Sequence, residues 1–159
     1  TMVEGATVVT GGAIIVGVAR AIQVVLEQGK IADTIVYTLS LPLQDLPVIA
    51  SGILMTVMHS IINFFIPSGS GQAMATMPIM IPLSDIIGMT RQTAVFAFQV
   101  GDGVMNLIVP TLGGLLAMLA LLRMPFERWF RGAFTLAIKL VVASWIIIAI
   151  AVWINWGPA

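Results

Sequence analysis

The chain has 159 residues, of which 59% are hydrophobic and 9% charged, and its seven basic and seven acidic side chains cancel to a formal net charge of zero. Soluble domains carry about 25% charged residues, so this composition belongs to an integral membrane protein, and the balanced charge offers no electrostatic footprint for nucleic acid. The absence of cysteine excludes disulfides and thiolate metal sites, and a lone histidine argues against a histidine-built metal centre.

The first expected unit covers residues 1–43. An apolar segment over 6–26, interrupted by Arg20, reads as a membrane helix whose Gly11, Gly12 and Gly17 thin its packing face. Gln23 and Glu27 share a helical face with Arg20, which makes Arg20 either an anchor for the helix end or a contact for an anionic substrate. Gly29 is the expected C-cap, in a polar turn. Residues 34–43 form a short interfacial helix ending near Pro42, and Asp45 ahead of Pro47 suits the first turn of the next helix.

From Leu46 to Ser84 no Asp, Glu, Lys or Arg occurs, far beyond the roughly 20 residues that span a bilayer. Yet the middle of this run reads Asn63-Phe-Phe-Ile-Pro67-Ser-Gly-Ser-Gly-Gln72, where Pro67, Gly69 and Gly71 each disfavour helix. Backbone released from helical pairing survives at membrane depth only where protein or a water-filled cavity satisfies it. Residues 44–88 are therefore expected to form a re-entrant hairpin with arms over 47–66 and 73–87 and a tip over 67–72. A second arm of that length reaches only about 22 Å, short of the hydrocarbon thickness. Its N-terminus would point free N–H groups and a positive dipole end at the tip.

After a polar turn at Gly88–Gln92, residues 91–122 are apolar but carry Gly101-Asp102-Gly103, Asn106 and Pro110-Thr-Leu-Gly-Gly114, the pattern of a discontinuous helix. The segment 123–131 holds Arg123, Arg128 and Arg131 and reads as a cytoplasmic loop with Trp129 at the interface. The last span covers 133–157, with Lys139 snorkelling back and Trp153 and Trp156 at the opposite face. That orientation places the C-terminus outside and opens the hairpin from the outer side.

Two places carry the chemistry. At the tip, Asn63, Ser68, Gly69, Ser70, Gly71 and Gln72 combine hydroxyl, amide and free backbone groups that suit substrate oxygens or a hard cation. In the break, Asp102 is an intramembrane carboxylate, which costs about 2.5–3.5 kcal/mol to insert and is functional by default. Ser68, Ser70 and Asp102 are the candidate sodium ligands. His59 and Asn63 are four residues apart on the first arm and face each other, His59 reading more readily as a core histidine than as a proton carrier. The methionines are ordinary packing residues.

At these two breaks the sequence resembles the C4-dicarboxylate anaerobic carrier-like transporters, in particular the YfcC-like branch of the ion transporter superfamily. The matching stretches are Gly17-Val-Ala-Arg20, Gly29-Lys-Ile-Ala-Asp-Thr-Ile35, Asn63-Phe-Phe-Ile-Pro-Ser-Gly-Ser-Gly-Gln-Ala73 and Met77-Pro-Ile-Met-Ile-Pro-Leu83. Phe98-Gln-Val-Gly-Asp-Gly103, Asn106-Leu-Ile-Val-Pro-Thr111 and Arg123-Met-Pro-Phe-Glu-Arg128 continue in the order of that family's C-terminal half. The resemblance implies two inverted repeats, each with a re-entrant hairpin and a broken helix, and a homodimeric scaffold. It also implies that tip and break together hold substrate and sodium, which assigns Gly101, Asp102, Asn106, Pro110 and Thr111 to the wall facing the tip. The dicarboxylate sodium symporters carry Ser-Asn-Thr where this chain has Ser68-Gly69-Ser70, so substrate class does not transfer from them.

The expectation is an all-α integral membrane protein comprising one transporter repeat, a piece of a longer multi-pass protein of a bacterial inner membrane. Its partners are the lipid bilayer, a small organic anion or amino acid, and the missing N-terminal repeat of the same protein. Transport is coupled to sodium or protons, with no other cofactor, no catalysis and no nucleic acid. The rival classes are a channel, which would show ohmic currents instead of saturable flux, and an intramembrane serine protease using Ser68 or Ser70. The latter needs a base in hydrogen-bond reach, and His59 lies roughly 13 Å from Ser68 along a helix.

Overall fold

The computed structural model describes residues 28–157 together with positions 10, 13, 14, 17, 18, 21, 24 and 25, each of these eight being helical. Arg20, Gln23 and Glu27, and with them most of the first expected membrane helix, lie outside the described residues. The ordered elements are α1 (Ile31–Ser40), a 3-10 turn (Leu41–Gln44), α2 (Val48–Phe65), α3 (Gly69–Ile87), α4 (Arg91–Met105), α5 (Gly113–Leu121) and α6 (Phe126–Trp153). No strand occurs among the described residues. Two helices, α2 and α6, are long and apolar enough to cross a membrane.

Local chemistry sets most boundaries. The left-handed residue ahead of α1 is Lys30 (φ 53°) and not Gly29, so the expected glycine cap moves by one position. Leu41–Gln44 tightens into a 3-10 turn at Pro42, which displaces the expected interfacial helix from 34–43 to Ile31–Ser40. Pro47, in an extended conformation, immediately precedes α2.

The connection between α2 and α3 is narrower than the expected tip. Only residues 66–68 lie between the helices, and Gly69, Ser70, Gly71 and Gln72 already form the first turn of α3. Ser68 is the reason: its backbone is extended (φ −146°, ψ 110°), its Oγ accepts from Gly71 N at 3.3 Å, and its carbonyl accepts from Gln72 N at 2.7 Å. The glycines therefore sit in a capped helical start. Consequently α3 has 19 residues and reaches about 28 Å, close to the hydrocarbon thickness and longer than the roughly 22 Å expected of the second arm. Pro78 and Pro82 lie inside it. The helix closes on Gly88 (φ 75°), with Met89 N bonded to Ser84 O at 2.9 Å and Gly88 N to Asp85 O at 3.3 Å, the paired bonds of a left-handed C-cap.

Thr90 caps α4, and Arg91 reaches back across the turn to pair with Asp85 at 2.8 Å. The guanidinium holds the exposed Asp85 carboxyl below its ordinary value by hydrogen bonding. Helix α4 then runs unbroken through Gly101-Asp102-Gly103, where a break was expected. Packing explains this: a Cβ on Gly101 would come within 2.5 Å of His59 Cβ and 2.7 Å of Thr56 O, so α2 lies directly against the α4 backbone there. Such a close approach offsets the poor helix propensity of glycine. The interruption falls later, over residues 106–112, and is held by turn bonds such as Ile108 N to Met105 O (2.9 Å) and by Thr111 Oγ1 donating to Phe64 O (2.8 Å).

Helix α6 begins at Phe126, directly after Pro125, so Arg128 and Arg131 occupy its first turns instead of a loop. The centre of the bundle is α4, which packs against α2, α3 and α6, whereas α2 and α3 touch each other little. Met55, Met58, Ile62, Met80, Ala94, Ala97 and Ile148 fill the space around it.

Candidate functional site

At the end of α2, His59 and Asn63 project from one helical face, and both are fully buried. They do not bond to each other. Each instead meets Gln72 from the first turn of α3: Gln72 Nε2 donates to the His59 carbonyl at 2.9 Å and lies 3.3 Å from His59 Nδ1, and Asn63 Nδ2 donates to Gln72 Oε1 at 3.3 Å. Below Gln72, Thr76 Oγ1 donates to the Gln72 carbonyl at 2.9 Å and steadies the turn. The His59 ring stands edge-on to Phe98 of α4, with centroids 5.2 Å apart.

The same Asn63 nitrogen reaches the third helix. It donates to Asp102 Oδ1 at 2.7 Å and lies 3.2 Å from Asn106 Oδ1, while Asn106 Nδ2 makes a long contact of 3.5 Å to Asp102 Oδ2. One amide thus faces oxygens from the start of α3, the end of α4 and the residue that caps α4. The opposite end of that amide, Asn63 Oδ1, is buried and has no hydrogen-bond partner among the described residues, as is also true of His59 Nε2.

Asp102 is 4% exposed, and its Oδ2 would lie 3.1 Å from a Cβ built on Gly69. The carboxylate is therefore pressed against the first turn of α3, where the helix presents unpaired N–H groups and the positive end of its dipole. Sequence logic left that position for a ligand's anionic group; here it adjoins the protein's own carboxylate. Only glycine at position 69 allows this approach without displacing Asp102.

The other candidate residues are placed differently. Ser68 uses its hydroxyl as the α3 cap, Ser70 is exposed, and Gly71 supplies the N–H that Ser68 accepts. Gly101 forms the α2–α4 contact, one residue before Asp102. Thr111 pins the break to the end of α2, and Pro110 is exposed. Arg20 lies outside the described residues. What the sequence could not signal is the role of Gln72 as the bridge between His59 and Asn63, or the bond from Asn63 to Asp102 across 39 positions. Another unforeseen link is Trp129 Nε1 donating to the carbonyl of Leu107, inside the break, at 2.7 Å.

The chain is similar to known proteins along nearly its whole length. The family model described as "C4-dicarboxylate anaerobic carrier" matches residues 1–153. An Escherichia coli protein named "Putative basic amino acid antiporter YfcC" is 35% identical over 151 residues, covering 91% of this chain and 30% of that protein. An uncharacterized Haemophilus influenzae protein is 38% identical over 128 residues, covering 80% of this chain and 25% of its own length. The chain thus spans less than a third of either relative. No solved structure matches. With a family match that runs through both the hairpin-like helix pair and the interrupted helix, the chain belongs to the C4-dicarboxylate anaerobic carrier family of membrane transport proteins.

Proposed function

We propose that this chain forms one wall of the binding site of a secondary transporter, with the α2–α3 connection acting as a re-entrant tip and residues 106–112 as the facing break. The observation that carries this reading is the Asn63 amide, buried among oxygens of Gln72, Asp102 and Asn106 from separate segments. A buried polar cluster at the point where two helices are interrupted is costly to build in lipid and is characteristic of solute sites. The opposite wall comes from further chain, for which the greater length of the relatives leaves room.

The charge balance of the cluster supports one substrate class over another. The family description specifies a dicarboxylate, whereas the Escherichia coli relative's name specifies basic amino acids. When ionised, Asp102 places a negative charge at the α3 N-terminus, and no cationic side chain is bonded to the cluster among the described residues. A second anion would meet repulsion there, while an ammonium group, a sodium ion or a proton would be attracted. A cargo amino acid whose positive end is held by Asp102 fits this wall best, in keeping with the name of the Escherichia coli relative. The wider class of small organic anions is served less well by this wall. The protease alternative lacks its geometry, since neither Ser68 nor Ser70 is hydrogen-bonded to His59 among the described residues.

The test is uptake by the full-length protein in proteoliposomes, using basic amino acids, neutral amino acids and dicarboxylates, with and without sodium and with and without a pH gradient. Saturable counterflow of an amino acid, abolished by Asp102→Asn, is the expected result. Dicarboxylate uptake insensitive to Asp102→Asn, or ohmic current in place of counterflow, would refute the assignment.

A further inference from the structure

Where the break after α4 meets the start of α6, a groove of about 400 Å³ runs between Leu107, Met124, Arg128, Trp129, Gly132 and Leu136. Positions 128, 132 and 136 recur every four residues, so the groove follows one face of α6 over its first turns. Its walls are aliphatic and indole carbon. At Gly132 an added Cβ would meet nothing within 4 Å, so the floor is open.

Arg128 stands at the end of the groove where α6 begins, with Arg123 next to Met124 and Arg131 one turn further along the helix. None of these three guanidinium groups has an ion-pair or hydrogen-bond partner among the described residues; the described arginine ion pair is Arg91–Asp85, on a different turn. Helix α6 has 28 residues and reaches about 42 Å, longer than the roughly 30 Å hydrocarbon layer, and its charged residues Glu127, Arg128 and Arg131 assign the excess to the first turns, at headgroup depth. Trp129 at that level fits the interfacial belt.

We propose that this groove seats an acyl chain of an anionic phospholipid, with the headgroup phosphate on Arg128. The apolar walls match a hydrocarbon tail, and unpaired arginines at the rim match a phosphate, whose oxygens a guanidinium binds bidentately. Neighbouring Arg123 and Arg131 raise the local positive potential and so favour an anionic over a zwitterionic lipid. The lipid lies against the residue that ties α6 to the break, because the Trp129 indole donates to the Leu107 carbonyl, one residue from Asn106.

Full-length protein, stripped of lipid in detergent and then titrated with phosphatidylglycerol or phosphatidylcholine, is compared by native mass spectrometry with Arg128→Gln and Gly132→Leu. The wild type is expected to prefer phosphatidylglycerol by about fivefold, the effect of one arginine at an anionic surface. Arg128→Gln should markedly reduce the preference, leaving only the weaker bias from Arg123 and Arg131, without loss of phosphatidylcholine retention, and Gly132→Leu, which fills the groove without changing charge, should lower retention of both lipids. Equal binding of the two lipids by the wild type, an undiminished preference in Arg128→Gln, or undiminished retention of both lipids in Gly132→Leu overturns the proposal. Loss of subunit or domain association by the variants in lipid-free detergent also overturns it, because protein would then cover the groove.

Discussion

Removing the Asn63 amide tests the polar cluster most directly. Asn63→Ala deletes the donor that Asp102 Oδ1 (2.7 Å), Asn106 Oδ1 (3.2 Å) and Gln72 Oε1 (3.3 Å) share. Asp102 is only 4% exposed, so bulk water does not replace that donor. A hydrogen bond to a charged group contributes about 1.5–3 kcal/mol, and stranding a buried charge costs about 3–5 kcal/mol, so a loss near 3 kcal/mol is expected. Asp102→Asn keeps the shape and removes the charge. In the double variant no charge is left stranded, and the combined loss should fall short of the sum of the single losses by about 1–3 kcal/mol. Reversible unfolding of the full-length protein in mixed micelles measures all four corners of this cycle. Additivity within about 0.5 kcal/mol would show that the two residues do not depend on one another and would refute the network.

Gly101→Ala forces a methyl group to within 2.5 Å of His59 Cβ and 2.7 Å of Thr56 O, and should cost about 1–3 kcal/mol of overpacking in the same unfolding assay. Gly103→Ala, where the added carbon meets nothing within 4 Å, is the control and should leave stability unchanged or slightly raised. Ser68→Ala removes the α3 cap and should cost about 1 kcal/mol, a loss that the uncharged cap of Ser68→Thr largely restores. The Asp85–Arg91 pair links stability to pH. Because the Asp85 carboxyl is depressed in the folded protein, its contribution is present above the unfolded value near about 3.9 and disappears as pH falls through the lower folded value. Asp85→Asn should flatten the acid limb of the stability profile slightly, and high salt should erase the difference because the pair is exposed. An effect that persists in high salt would show that the ion pair is not its source.

Much of the architecture was legible from local chemistry. The charge-free run from Leu46 to Ser84 announced membrane helices, and Pro67 with its glycines announced an interruption, because both statements depend only on side-chain transfer and backbone sterics. The family resemblance followed from the same motifs. Their physical consequence was less legible: Gly69 and Gly71 became the capped start of α3, since Ser68 could satisfy the turn, and Gly101 and Gly103 stayed helical, since α2 packs against that stretch. Glycine permits a break but does not require one, and whether it yields depends on a neighbour far away in sequence.

The site divides along the same line. Residue type alone marked Asn63, Gln72, Asp102 and Asn106, because amides and a carboxylate in an apolar chain are too costly to lack a purpose. That one amide nitrogen gathers the other three, and that Asp102 lies against the first turn of α3, follows only from how α2, α3 and α4 pack. Sequence by itself determined that the protein lives in a membrane and that its helices are interrupted near Pro67 and Pro110, since solvation and backbone freedom are properties of short segments. Tertiary structure decided which polar groups meet and what charge the cluster presents to a ligand, since a hydrogen bond needs two groups within about 3 Å and a single sequence carries no such distance.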